Sequence, residues 1–293
     1  MVKSTTKLPK SHTSTCARQC TETKKFGYET GKTYDYEYTS KVSTTIQGAS
    51  EDKAEIDMAA KVHIEVQSKC DLVLKVSDVV LTESDPKSPN TKRNADVTGE
   101  FKKSLEQNPL MFSFQDGRVD ELCPSNDEQT WALNIKRAII SAFQNSMDDF
   151  SQEQKTKEMD VTGSCDVNYS LASNGWYTMT IKKTKDTLGC VDRHGYKTAM
   201  QGTPYRVPSE IQSMPLVKST HECQQGISKT GILQSSSCEE QHVLRPFSRE
   251  SSGAVTETKQ TLKYISESQS RSTKGKIERT ETIHICIVNQ KNN

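Results

Sequence analysis

The feature that most constrains this chain is a run of strict two-residue alternation. From Tyr34 to Ile46 the sequence reads Y-x-Y-x-Y-x-S-x-V-x-T-x-I. In an extended strand successive side chains point to opposite faces, so Tyr34, Tyr36 and Tyr38 fall on one face together with Val42 and Ile46. A helix would scatter the same residues around its circumference. Turn-forming residues Gln47 to Asp52 follow, and Ile56, Met58, Ala60, Val62, Ile64 and Val66 then alternate again, as the return arm of a hairpin would. Cys70, Leu72, Leu74 and Val76 keep the period, after which Val79 and Leu81 fall out of phase by one. A β-bulge or strand end near Ser77 and Asp78 accounts for the slip.

Composition sharpens this into a fold class. Apolar residues make up 32% of the 293-residue chain and the mean hydropathy is -0.74. A core drawn from so little apolar material must come from half-buried strands, which favours antiparallel β over a doubly wound parallel sheet. The length fits one large domain or two small ones. The net charge is +1 with interspersed signs, which gives no footprint for nucleic acid. Lys24-Lys25 and Lys182-Lys183 read as ordinary solvated surface. No run approaches the ~20 apolar residues of a membrane-spanning helix. Met1 to Thr15 is polar and lacks the apolar segment of a signal peptide, so a mature, engineered or incomplete chain is expected.

Elsewhere the signals are shorter. Residues 82–99 hold two prolines and little apolar content, and read as a surface loop. Leu110, Phe112 and Phe114 alternate before Asp116-Gly117, a type I′ hairpin signal with Arg118-Val119 on the return. One helix is predicted after Cys123-Pro124, with Ser125 or Asn126 as N-cap and Asp127 and Glu128 in the first turn. Its stripe is Trp131, Ile135, Ala138, Ile139, Ala142 and Phe143, and Leu133 and Ile140 add apolar area beyond it, so burial on more than one side is expected. Val167, Tyr169 and Leu171 alternate up to Asn174-Gly175, and Trp176 to Ile181 reads as the returning strand. Val255 to Ile265 and Thr282 to Val288 suggest further strands, and Tyr205 to Glu250 is less readable.

Few residues invite a chemical reading. Gly27 to Thr33 (G-Y-E-T-G-K-T) imitates a phosphate-binding loop, but only three residues separate its glycines and a strand follows where a helix is needed. Cys190 with His194, His221 with Cys223, and Cys238 with His242 would offer nitrogen and sulfur ligands for zinc, at gaps that match no familiar module. His63 lies among alternating strand residues and is expected to point outward. Nucleophile elbows and paired-histidine metal motifs are absent from the sequence. No catalytic residue, metal ligand or cofactor is assigned. The tyrosine stripe could wall a ligand cavity, although ring packing against the next strand is the commoner meaning. Nine cysteines, scattered instead of clustered, suit disulfides in an oxidising compartment. The sequon at Asn168 is compatible with secretion and glycosylation.

Three blocks resemble the large lipid transfer protein family of vitellogenins, apolipophorins and apolipoprotein B. They are Phe26 to Tyr38 (F-G-Y-E-T-G-K-T-Y-D-Y-E-Y), Met111 to Val119 (M-F-S-F-Q-D-G-R-V) and Glu128 to Gln144, with its W-A-L-N-I-K-R core. The wording looks nearest to insect apolipophorins. The resemblance implies a mainly β fold, an antiparallel β-barrel with one central amphipathic helix packed through Trp131, Ile135, Ile139 and Phe143. It implies a flexible stretch over residues 1–15, a barrel domain over 16–267 and a divergent or truncated tail over 268–293. It also implies bridges Cys165 to Cys190, Cys223 to Cys238 and Cys20 to Cys70, while Cys16 with Cys123 is compatible and leaves Cys286 over. The expected role is a non-catalytic module of a secreted lipoprotein in a circulating fluid. Lipids would be partners through the parent protein, with a receptor or second chain docking on the barrel. The alternative is a stand-alone barrel that encloses one small hydrophobic ligand.

Overall fold

Alternation of apolar and polar residues governs almost every element. The computed structural model describes residues 25–47, 53–85, 88–94, 98–160, 163–191, 217–244, 253–270 and 283–284. The strands are β1 (Lys32–Gln47), β2 (Lys53–Val66), β3 (Asp71–Asp85), β4 (Ser88–Asn94), β5 (Leu110–Ser113), β6 (Glu121–Cys123), β7 (Gln154–Asp160), β8 (Gly163–Asn174), β9 (Thr178–Val191), β10 (Val217–Ser228), β11 (Leu233–Leu244), β12 (Gly253–Gln269) and β13 (Ile283–His284). Helix α1 (Thr98–Gln107) precedes β5, and α2 (Thr130–Phe143) separates β6 from β7.

All pairings are antiparallel within one sheet, in the order β13-β6-β5-β3-β2-β1-β12-β11-β10-β9-β8-β7, with β4 on β3. The long tyrosine strand β1 lies inside this order. It pairs on one side with its hairpin partner β2 and on the other with β12, from Lys32 opposite Gln269 to Gln47 opposite Gly253.

The expected closed barrel is not formed by the backbone ladder. Among the described residues the sheet has two ends, and no strand pairing joins β7 to β6 or β13. The gap is bridged by the end of α2 and the residues after it. Asn145 N–H donates to Gly117 C=O at 3.0 Å, and Ser146 N–H donates to the Tyr169 hydroxyl at 3.0 Å. Arg118 reaches Asp148 at 3.2 Å and Thr156 of β7 at 3.5 Å. The curled sheet is thus held together by a helix end and by side chains.

The interior is aromatic where the two halves meet. Phe143 packs against Tyr36, Phe112, Phe114 and Tyr28, with ring centroids 6.0, 6.4, 5.3 and 5.4 Å away. The last carbonyls of a helix have no partner within it. Here Gln225 of β10 donates to Ala142 and Gln144 C=O, both at 3.0 Å, and Lys183 of β9 donates to Gln144 C=O at 3.2 Å. The carbonyls of Ala142 and Gln144 are therefore buried with partners.

Several sequence signals map directly onto the structure. The phase slip in β3 is a bulge: Ala59 faces Val80 and Lys61 faces Ser77, while Asp78 takes a positive φ of 54°. Asp116 and Gly117 have φ of 54° and 86°, the two positive values a type I′ turn requires. A Cβ on Gly117 would also lie 1.8 Å from Asn145 C=O, so this glycine permits the bridging contact just described.

Other expectations are corrected. Residues 82–99 are not simply a loop, because β3 runs on to Asp85, β4 pairs back on it and α1 starts at Thr98. With α1 the described residues hold two helices where one was expected. It was missed because its apolar content is Phe101 and Leu105 alone, a stripe of one i, i+4 pair. Trp131 does not pack inside the sheet: it is 37% exposed and stacks on Phe101 at 4.9 Å. Trp176 and Tyr177 lie on the turn between β8 and β9, not in the returning strand, since Gly175 N–H closes onto Thr178 C=O at 3.0 Å.

Phe143→Ala is expected to lower the unfolding free energy by about 3–5 kcal/mol, the usual range for deleting a fully packed ring. Urea denaturation followed by circular dichroism checks this, with Trp131→Ala as a milder comparison.

Candidate functional site

Two regions stand apart from an ordinary apolar core. The first lies inside the β7–β11 half of the sheet. The inner-face period of β9 that begins with Ile181 continues through Lys183 and Lys185, and in β7 the inward positions are Glu158 and Asp160. Glu158, Asp160 and Lys183 are 2%, 0% and 0% exposed. Lys183 pairs with Glu158, and Lys185 pairs with Asp160. The Tyr169 hydroxyl donates to the Glu158 carboxylate, and the Lys183 ammonium lies 5.8 Å from the centre of the Tyr169 ring.

Burial sets the protonation of this array. It pushes the Tyr169 phenol well above its ordinary range, aided by the negative charge of Glu158. It lowers Lys185, against the opposing pull of Glu158 and Glu240. His221 on β10 is held well below 6.5, first by burial and then by the positive charges of Lys185 and Lys183. Its ring is therefore neutral at pH 7. His242 on β11 pairs with Glu240 at 2.8 Å.

What this arrangement can do chemically is limited. Lys183 is turned to Glu158 and to the carbonyl of Gln144 at the end of α2, whereas Lys185 and His221 line a polar cavity together with Glu240. Removing water from two ions costs several kcal/mol each, so such a pair contributes little net stability, yet losing one partner is expensive. A second buried pair, Lys136 with Glu128 at 2.8 Å, fixes α2 to the turn before it in the same manner.

Sequence reading missed this polar interior. Lys182-Lys183 was expected at the surface; Lys182 does face outward, pairing with Glu222 at 2.9 Å, whereas Lys183 is fully buried. The signal lay in the two-residue phase shared with Ile181, masked by the habit of reading lysine as solvated.

The other singled-out residues distribute as follows. Tyr34, Tyr36 and Tyr38 are 0%, 0% and 2% exposed, with Tyr34 against Tyr28 and Tyr36 against Phe143 and Tyr264. Ile139 is buried and Ile135 partly so. Cys165 is bonded to Cys190 and Cys223 to Cys238. Those four sulfurs are unavailable as thiolate ligands, His194 lies outside the described residues, and no group of three metal-binding side chains occurs among the described residues. Cys70 and Cys123 are also disulfide-bonded; Cys16, Cys20 and Cys286 lie outside the described residues. Asn168 is exposed on β8. His63 faces outward between Asp35 at 2.6 Å and Ser77 at 2.8 Å. In the false phosphate loop, Lys32 is engaged by Glu29 and Glu267 at 2.8 and 2.9 Å.

The second region is the turn bearing Trp176 and Tyr177, 87% and 80% exposed. It adjoins the β10–β11 turn, whose Lys229 N–H donates to Tyr177 C=O at 3.1 Å.

A family model for the vitellogenin N-terminal domain matches residues 28–272, from the turn before β1 to just past β12. The chain belongs to that family. Vitellogenin of Penaeus merguiensis is 27% identical over 262 residues, covering 88% of this chain and 9% of that protein. Apolipophorins of Locusta migratoria are 28% identical over 84% of this chain and 7% of theirs. Apolipoprotein B-100 of Homo sapiens is 28% identical over 78% of this chain and 5% of its own. A solved structure of lipovitellin shares the fold with a TM-score of 0.69 at 22% identity, covering 84% of this chain and 26% of that one. This member of the vitellogenin N-terminal domain family thus spans less than a tenth of the length of these three relatives.

Lys183→Met is expected to destabilise the fold by about 3–5 kcal/mol because it strands the Glu158 carboxylate, and Glu158→Leu with Lys183→Met to recover most of that loss. A double-mutant cycle in urea measures both. His221 stays neutral in the folded state while the unfolded ring protonates below about 6.5. The unfolded state therefore binds the extra proton, and stability falls as pH drops below about 6.5. The gap between wild type and His221→Gln in urea midpoints at about pH 7.5 and about pH 5.5 should isolate this contribution.

Proposed function

We propose that this chain is the non-catalytic amino-terminal module of a secreted lipid-transport lipoprotein, and that it works by docking on other surfaces instead of enclosing lipid. The observation that carries this reading is the family match, which runs across the sheet from β1 to β12. Relatives named for lipid carriage, vitellogenin, apolipophorins and apolipoprotein B-100, support a parent protein of the same kind. Lipids are then partners of that parent, and a receptor or partner chain is the partner of this module. Disulfides and the exposed sequon at Asn168 fit an extracellular, glycosylated product in a circulating fluid.

The interior supports docking. A lipid cavity would be lined along Tyr34, Tyr36 and Tyr38, but Tyr34 is packed against Tyr28, Tyr36 against Phe143 and Tyr264, and the Tyr38 hydroxyl donates to Gln260 Oε1 at 3.2 Å. The β7–β11 half holds buried ion pairs, and the cavity of about 860 Å³ on that side is lined by charged and polar side chains, among them Lys185, His221 and Glu240. Among the described residues, then, the rings of one half are packed and the cavity of the other is polar, which is not the apolar void that a stand-alone carrier of one hydrophobic ligand needs.

Native mass spectrometry of the chain secreted from eukaryotic cells tests the reading. The expected mass is that of the disulfide-bonded polypeptide plus any glycan at Asn168. A stoichiometric bound lipid would overturn the docking reading in favour of the stand-alone carrier.

A further inference from the structure

We propose that the turn carrying Trp176 and Tyr177 is a contact site for a phospholipid surface, with the Lys229 ammonium beside it serving the anionic headgroups. The inference rests on the reading of the chain as a module of a lipid carrier and deepens it.

Among the described residues, Trp176 and Tyr177 are the most exposed large hydrophobic side chains at 87% and 80%, and the next is Ile46 at 57%. Scattered surface apolar residues are common, but two adjacent aromatics on one turn make a concentrated liability in water. Neither ring holds the turn together. That task falls to the backbone: Gly175 N–H donates to Thr178 C=O at 3.0 Å, and a Cβ on Gly175 would lie 2.8 Å from the same carbonyl oxygen. Turn chemistry asks for asparagine and glycine, which Asn174 and Gly175 supply, and it makes no demand for Trp or Tyr at the next two positions.

The turn is also fixed to its neighbour. Lys229 N–H donates to Tyr177 C=O at 3.1 Å, and the Lys229 ammonium donates to the neutral Asn174 amide oxygen. That amide is neutral, and no carboxylate among the described residues balances the Lys229 charge. The tip therefore presents an indole N–H, a phenol O–H and an ammonium on a pre-formed platform with two apolar ring bodies. Aromatic side chains with one polar end settle at the boundary between headgroups and acyl chains, and a nearby cation is drawn to anionic headgroups. A platform already ordered loses little conformational freedom on binding.

The test is flotation of the full chain with phosphatidylcholine vesicles, with and without phosphatidylserine, together with quenching of indole emission by brominated phosphatidylcholine. The expected result is co-flotation, strengthened by phosphatidylserine and weakened by Lys229→Gln. W176S/Y177S should reduce apparent vesicle affinity by about tenfold or more, and Trp176→Phe should abolish the quenching while Trp131 still emits. Because the tip lies outside the core, unchanged thermal melting of these variants shows that they fold. Absence of flotation by the folded wild-type chain, or flotation and quenching unaffected by these substitutions, overturns the proposal. A secreted chain that carries no enclosed lipid and ignores vesicles defeats this inference alone. A chain that carries stoichiometric lipid defeats the docking reading whatever the tip does.

Discussion

The structure depends on the burial of one helix end beneath a sheet that does not close on itself. Phe143 ends α2 at the point where rings from β1, β5 and the segment before β1 converge. The residues after it are bonded to the β5–β6 turn on one side and to β8 and β10 on the other. Without this bridge the two ends of the ladder would have only side-chain contacts between them. The fold is thus a wrapped sheet around a peptide plug, and its shape is set by how many polar groups that plug can satisfy.

This explains why the interior is divided. Towards β1 and β5 the end of α2 presents Phe143, which packs on Tyr36 and Phe112. The β7–β11 side meets the helix end, where free carbonyls point outward, and it supplies donors: Lys183 and Gln225. Lys183 then needs a counter-ion, which Glu158 provides, and Tyr169 links that carboxylate back to Ser146. The buried Lys183–Glu158 pair thus follows from the burial of a helix terminus.

Much of this was legible in the residues. The long β1–β2 hairpin, the bulge at Asp78, the type I′ turn at Gly117 and the apolar stripe of α2 follow from local rules that act over a few residues. The start of α2 does not: the helix begins at Thr130 after Gln129, which makes no side-chain cap bond, and not at Ser125 or Asn126 with Asp127 and Glu128 in its first turn. Barrel closure was not legible, because it depends on whether distant strand edges meet, and nothing local to β6 or β7 encodes that. Helix α1 escaped notice because Phe101 and Leu105 alone cannot produce a period. Lys183 escaped because residue type was allowed to outweigh phase, although Ile181 two positions earlier already marked the inward face. Trp176 was misassigned for the same reason in reverse: aromatic character suggested a strand where Asn174 and Gly175 had already ended one.

The pairing of β1 with β12 has a consequence for how the chain is made. Thr39 and Thr261 share a hydroxyl hydrogen bond at 2.6 Å across 222 residues of sequence. During synthesis β1 can fold with β2 as soon as both have left the ribosome, but its other edge must wait until β12, some 222 residues further on, has followed. A long, unpaired strand edge is a template for pairing with the wrong partner, and non-local pairings of this kind form slowly. The nascent protein therefore passes through an extended period in which its most regular strand is half-satisfied, and its yield in the cell is governed by what shields that edge as much as by the stability of the finished sheet.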